Sequence, residues 1–375
     1  MQESRKARMQ ERRNARSLPA CAPALLHACA PRNPRLAAAY LRGPHHALMP
    51  RVAVLLACLL GVAACAPGGD ETAAGAAEVR RDLVEVADGG EASVRADLDL
   101  GLGTVTVGEA ERGTLFQAEV ALPVDGLRAV LDTETVPTEN GPQARVRLGL
   151  DGGAASPGDL ERTRGLAWRL LFSHRTPLDL SVRMGAAEAD LDLTGIPLRR
   201  LMLVCGVART TLRLSAPNPE RAADVEITAG VSEFTAEGLG HLRFRRLRFE
   251  GGVGRFALDF RGARPEPGAE ASLRVGVGEL DVVLPVGVPV VVEAPGGRLS
   301  AVDLPAGLVT LGQGRYATRG AESDPDALVV RIVAGPGRVR VRLAGPLPPA
   351  PPAPPSPPAP PAPPAPPAPP APVAR

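Results

Sequence analysis

The sequence predicts an all-β chain, specifically a β-solenoid resembling a right-handed β-helix with coils of about 22 residues. Three observations point there. Apolar and polar residues alternate with period two in RVRLGL (145–150), TLRL (211–214) and RVRVRL (338–343), the mark of half-buried strands. Gly-x-Gly or Gly-x-small recurs between such stretches. From Gly185 to Gly206, Gly230, Gly252, Gly276 and a degenerate Gly297 the intervals are 21, 24, 22, 24 and 21 residues, then 38 to Gly335. An antiparallel sandwich of Gly-turn hairpins is the alternative that spacing alone leaves open, and the near-equal intervals favour the solenoid.

In chain order, residues 1–48 are rich in Arg and Ala, with no sustained apolar period. They read as a segment upstream of the true start, or as a long basic leader. Residues 49–64 have the three parts of a secretory signal: a positive start at Arg51, an apolar run, and small residues before a cut. The apolar run is short of the ~20 residues a spanning helix needs. Val62, Ala63, Ala64 and Cys65 form a lipobox pattern, so Cys65 is expected to be lipidated and to tether the mature chain to a membrane. Ala66 after it points to the outer membrane, facing the periplasm, if the cell has two membranes.

Removing residues 1–64 takes away 10 Lys+Arg and 2 Asp+Glu, so the rest carries 33 basic against 39 acidic residues, a net of −6. That balance gives no footprint for nucleic acid. Cys205, in an apolar run, reads as a small buried hydrophobe, and with Cys65 lipidated no disulfide framework remains.

Residues 65–79 read as a linker, 80–176 as a first β domain and 177–344 as the repeat solenoid. SPGDLER (156–162) carries a helix-start signature, and in LAWRLLF (166–172) a strand would bury Trp168. The turn glycines are Gly101, Gly103, Gly185, Gly206, Gly230, Gly252, Gly254, Gly276, Gly278, Gly335 and Gly337. Glycine is expected there because tight reversals need φ > 0 and because stacked coils crowd at corners. The connection Pro217-Asn218-Pro219-Glu220 is expected to bulge outward. Residues 345–375 are a Pro/Ala tail of period three, matching polyproline II, an inert spacer or a ligand for an aromatic groove.

The segment PLDLSVRMGAAEADLDLTGIPLRRL (177–201) resembles the toast-rack family of bacterial envelope proteins, with its Pro-Leu-Asp-Leu strand, Gly-Ala-Gly turn, Leu-Asp-Leu and Leu-x-x-Leu strand. The resemblance runs over most of 80–344, and the C-terminal half is also similar to the "putative adhesin" domains and to the extracytoplasmic domain of cell-wall-antibiotic-response regulators. It implies stacked β-coils and defines no catalytic residue. The chain departs from Gly-Ala-Gly in Gly185-Ala-Ala187 and Gly206-Val-Ala208, so small size suffices at the third position.

Enzymatic and metal chemistry find little footing. His174 and His241 stand apart from any ligand partner. Gly252-x-Gly254-x-x-Ala257 leads into a strand pattern, unlike a dinucleotide loop, and Phe256 stands where a calcium β-roll needs Asp. Neither cofactor nor metal is expected. Asp97 with Asp99, and Asp190 with Asp192, share strand faces as solvated residues, with Leu98 and Leu191 turned inward; a carboxylate ladder for a cation or an acid/base pair is the other reading. In HLRFRRLRF (241–249), Arg243, Arg245, Arg246 and Arg248 read first as the solvated face of a strand, with a β-bulge absorbing the doubled Arg245-Arg246; as the other reading they are candidate contacts for an anionic envelope polymer or a partner's carboxylates.

The functional expectation is a non-catalytic, lipid-anchored envelope protein serving as an adhesin-like binding or scaffold module. Its partners would be the membrane, through the N-terminal lipid, and an envelope polymer or membrane protein. A sensory domain of an envelope stress response is the second reading, and a polysaccharide-acting enzyme on a β-helix the third.

Overall fold

Residues 79–123, 128–151, 165–295 and 300–347 are described in the computed structural model. The signal and Cys65, the helix-start segment 156–162, Gly297 and the proline tail beyond 347 lie outside the described residues.

The fold is an all-β solenoid, and its repeating unit is one long strand bent at its centre. β7 (Leu178–Asp192), β8 (Leu198–Arg213), β9 (Asp224–Glu237), β10 (Arg246–Asp259) and β11 (Glu270–Pro285) lie side by side, parallel and in register. Leu203 thus faces Ile227, and Ile227 faces Phe249.

The burial pattern shows why each strand must bend. In β7 the buried positions are Leu178, Leu180, Val182 and Met184, then Ala189 and Leu191. The phase shifts from even to odd across Gly185-Ala-Ala187. A strand of unbroken period two would turn Ala189 and Leu191 to solvent; instead the chain folds at the glycine, and the second half shows its apolar side to the first. The shift recurs in β9 (Val225, Ile227, Ala229, then Phe234, Ala236) and β11 (Ala271, Leu273, Val275, then Leu280, Val282). Two sheets therefore enclose one core. Phe249 before the bend and Phe256 after it meet edge-on at 5.4 Å between ring centroids.

The glycine corners are thus bends inside single hydrogen-bonded strands, where reversals between separate strands were expected. The opposite corners are loops such as Leu193–Pro197, in which Leu193 and Ile196 are buried.

Both ends depart from simple succession. β2 (Ser93–Glu109) pairs with β7 on one side, and on the other with β5 (Gly141–Asp151) along its first half and β6 (Ala167–Phe172) along its second. β3 (Thr114–Leu122) pairs antiparallel with β6 and with β1 (Arg80–Ala87), and β4 (Arg128–Thr138) antiparallel with β5. At the other end β16 (Leu328–Ala334) and β17 (Gly337–Ala344) insert between β11 and the earlier strands β12 (Val290–Glu293) and β13 (Ser300–Asp303). A hairpin of β14 (Val309–Gly312) and β15 (Arg315–Ala317) closes that end on β12. This insertion explains the 38-residue interval before Gly335. The coil next to Gly276 in space is the one that ends the described chain, with an outer coil and hairpin made in between.

Trp168 is buried in β6, and its indole N–H donates to the Leu102 carbonyl at 3.1 Å. The β2–β7 pairing runs from Val94↔Leu178 to Val107↔Leu191, so the stack continues without a break past position 176.

Candidate interaction surface

Aligned on the first glycine of each corner, the strands give three structural rows. The first holds Gly185, Gly206, Gly230, Gly252, Gly276 and Gly335. At Gly230 a Cβ would stand 2.5 Å from the Gly206 carbonyl oxygen, and at Gly252 and Gly276 the same distance from the preceding glycine's. At Gly206 and Gly335 it would collide with the carbonyls of Gly185 and Gly276. None of these glycines has a positive φ; the close approach of stacked backbones excludes a side chain. Positive φ belongs to the third row, at Gly103, Gly254, Gly278 and Gly337, and to Gly101 in β2. Ala187, Ala208 and Ser232 fill that row in the coils where φ is ordinary.

Between them runs the second row: Ala186, Val207, Val231, Val253, Val277 and Pro336. These sit at the tip of the bend and form an apolar ridge down the corner of the stack, with Val207 and Val277 45% and 46% exposed.

One position beyond the third row stands a charged ladder. Glu188 is in register with Arg209, Arg209 with Glu233, Glu233 with Arg255, Arg255 with Glu279, and Glu279 with Arg338. All are exposed. Arg209 meets Glu233 at 3.2 Å and Arg255 meets Glu279 at 3.9 Å. A shallow groove separates the ridge from this ladder, floored by Ala187, Ala208, Ser232 and Gly254.

The other sheet repeats the device. Arg95, Asp179, Arg200, Asp224, Arg246 and Glu270 are successive register partners, with alternating sign. Arg200, Asp224, Arg246 and Glu270 of this ladder line a broad shallow concavity with Met202, Glu226, Arg248 and Arg331. Arg331 bridges Glu270 at 3.1 Å and Glu293 at 2.9 Å, and the Glu293 hydrogen bond raises its pKa further.

The arginine cluster divides. Arg246 pairs with Asp224 at 3.1 Å and Arg248 with Glu226 at 3.0 Å. Arg243 lies outside the strand, at φ 53° after a 3-10 turn (Leu239–Leu242), 3.4 Å from Glu266. Arg245 is exposed just before β10. The expected single strand with a bulge is thus a turn, an αL residue and a strand start, which resets the phase without a bulge.

Asp190 faces Arg213 at 3.5 Å, Asp97 faces Arg95 at 3.2 Å, and the Asp192 carboxylate accepts the Thr194 N–H at 3.0 Å. Leu98 and Leu191 are buried, as expected of their opposite face. No group of metal-ligating side chains converges among the described residues. His174 Nδ1 lies 3.4 Å from Glu109 without a hydrogen bond, and burial lowers the pKa of His241. Burial pushes the Cys205 thiol up to about 11, with a hydrogen bond from Thr210 acting weakly the other way.

Asn218 went unrecognised in the sequence. The connection expected to bulge out turns inward there. Its side-chain oxygen accepts the Leu198 N–H at 3.0 Å, and its amide donates to the carbonyls of Leu198 at 2.7 Å and Leu242 at 3.5 Å. It is buried and joins successive return loops. The flanking prolines were the only signal, since they leave the asparagine as the segment's one side chain able both to donate to loop carbonyls and to accept from loop N–H groups. The ridge and ladder were legible, one and three positions after each first-row glycine, once the repeats are aligned.

A stack of coils with continuous, ion-paired outer faces and a glycine-lined corner defines a repeat protein of the solenoid class. Residues 71–237 match the family model described as the N-terminal domain of toast_rack, DUF2154. The segment 177–201, whose sequence resembles that family, lies within the match. Among solved structures, a "putative cell adhesion protein" from Clostridium sporogenes ATCC 15579 is similar at 17% identity and a TM-score of 0.38, over 71% of this chain and 100% of that one. A "putative adhesin" from Parabacteroides merdae ATCC 43184 is similar at 8% identity and a TM-score of 0.20, over 71% of this chain and 96% of that one. A search of curated proteins finds no match.

Proposed function

We propose that the protein is a non-catalytic binding or scaffold module of the bacterial envelope, held to a membrane through lipidated Cys65. The observation that carries this reading is the continuous parallel pairing of β2, β7, β8, β9, β10 and β11, with local register shifts only around Gly101 and Leu178, which presents broad strand-built faces. Such faces suit extended contact with a polymer or a protein surface better than enclosure of a small substrate. The charges on them are matched in pairs, so recognition would depend on the pattern of alternating sign more than on net attraction. No helix among the described residues is long and apolar enough to cross a membrane; the tether in this reading rests on the lipobox at Val62–Cys65.

Two measurements test this. Labelled palmitate should enter the wild-type protein and keep it in the membrane fraction, while Cys65→Ser should lose both label and retention. Pull-down from intact envelope, with the wild type and a truncation at residue 345, should recover wall or surface polymer on the β domain. Recovery of a defined membrane protein alone would favour the sensory reading, and failure to retain any envelope component would overturn the proposal.

A further inference from the structure

The corner ridge and its flanking ladder have a symmetry that points to a specific occupant. Read along the stack, the ladder runs Glu188, Arg209, Glu233, Arg255, Glu279, Arg338. Turned end for end and laid against itself, it sets Glu233 against Arg255, Arg209 against Glu279, and Glu188 against Arg338. Every contact across the pair is then between opposite charges. The next outward row, Asp190, Thr211, Thr235, Ala257, Asp281 and Arg340, behaves alike under the same operation. Asp190 then meets Arg340, Thr211 meets Asp281, and Thr235 meets Ala257. A two-fold axis along the stack would instead carry each ladder to the opposite flank, so that ladder would not meet ladder.

We propose that this corner is an isologous interface between two copies of the chain, with stacks antiparallel and a two-fold axis passing between β9 and β10. The geometry allows it: an axis lying in the interface across the ridge keeps each flank on its own side, so ladder meets ladder and ridge meets ridge. The ridge supplies the apolar centre, with Val231 against Val253 and Val207 against Val277 of the second copy. Stacking within one chain does not account for these valines, because they point away from the core and Val207 and Val277 stay nearly half exposed. The contact spans about five coil steps of ~4.8 Å and about 20 Å across, on the order of 1,000 Å² in total from both copies. That is the lower end of specific interfaces, so the dimer is a weak one.

Sedimentation equilibrium of the full chain in mild detergent, up to on the order of 0.5 mM, should show a reversible dimer. Val207→Asp with Val277→Asp should weaken it at least tenfold while leaving the thermal midpoint unchanged, because both side chains are exposed and the carboxylates oppose each other only in the dimer. Swapping Glu233→Arg with Arg255→Glu separates stacking from association. It sets like charges side by side along the stack but keeps opposite charges across the axis, so the midpoint falls and the dimer persists.

Cysteine pairs fix the orientation. A mixture of Val207→Cys and Val277→Cys proteins should form the 207–277 disulfide, identified by peptide mapping. Neither alone should cross-link at its own position, since like positions lie three coil steps, about 14 Å, apart. A monomer throughout the concentration range, a dimer indifferent to the aspartates, or a 207–207 cross-link would each overturn the proposal.

Discussion

Replacing Gly230 by alanine tests the packing of the coils most directly. The new Cβ would lie 2.5 Å from the Gly206 carbonyl oxygen, where ordinary contact begins at 3.4 Å. Both atoms are fixed to backbone in register-paired strands, so the 0.9 Å shortfall can be relieved only by parting two coils. Overpacking of this kind costs about 1–3 kcal/mol. Against it, loss of unfolded-chain freedom on Gly→Ala contributes about 0.4–1 kcal/mol of stability. The net is a loss of about 1–2 kcal/mol, or roughly 2–4 °C in thermal midpoint for a unit of this size. Gly101 provides the contrast, because it has φ +57° and open space around its Cβ position. Alanine there costs about 1–2 kcal/mol through backbone strain alone, and asparagine, which tolerates that conformation, should recover most of it. At Gly230 asparagine should be no better than alanine. Circular dichroism melts of the four variants suffice. A Gly230→Ala protein as stable as the wild type, or one rescued by asparagine, would refute the account of the first-row glycines.

Asn218→Ala should lower stability by about 2–4 kcal/mol in urea unfolding, since it orphans buried loop groups now bonded to that side chain; a loss under about 0.5 kcal/mol would remove its role as a tie between coils. Cys205, with its thiol pKa at about 11, should resist alkylation at pH 8 in the native protein and react once unfolded. Because its folded pKa lies above the free thiol's 9.0, the folded state binds the extra proton, so this contribution to stability is intact below pH 9 and lost as pH rises towards 11. Cys205→Ala should flatten that part of the pH–stability curve. Trp168, the single tryptophan, should emit blue-shifted fluorescence that moves red on unfolding. Trp168→Phe should cost about 1–3 kcal/mol by emptying volume and leaving the Leu102 carbonyl without the indole N–H.

The sequence by itself determined the repeat and its period, because a coil that buries its apolar side against identical neighbours must place the same residue types at the same offsets. Period-two alternation therefore read as strands and the near-equal glycine spacing favoured a solenoid over a sandwich of hairpins, and Leu98, Leu191, Cys205 and Trp168 fell on the buried side as their patterns required. The tertiary structure decided what depends on which coil lies beside which. The glycines at 185, 206, 230, 252 and 276 share one motif with those at 254, 278 and 337, yet the first are set by contact with the neighbouring coil alone and the second by that contact together with their own positive φ. The insertion of β16 and β17 beside β11 broke the period, because strands far apart in sequence pair as readily as adjacent ones once register and burial agree. The arginines at 246 and 248 looked like free positive charge until their neighbours across the ladder proved to be Asp224 and Glu226. Charge along a chain is a local property, whereas charge on a stacked face is set by the coil one strand spacing, about 4.8 Å, away.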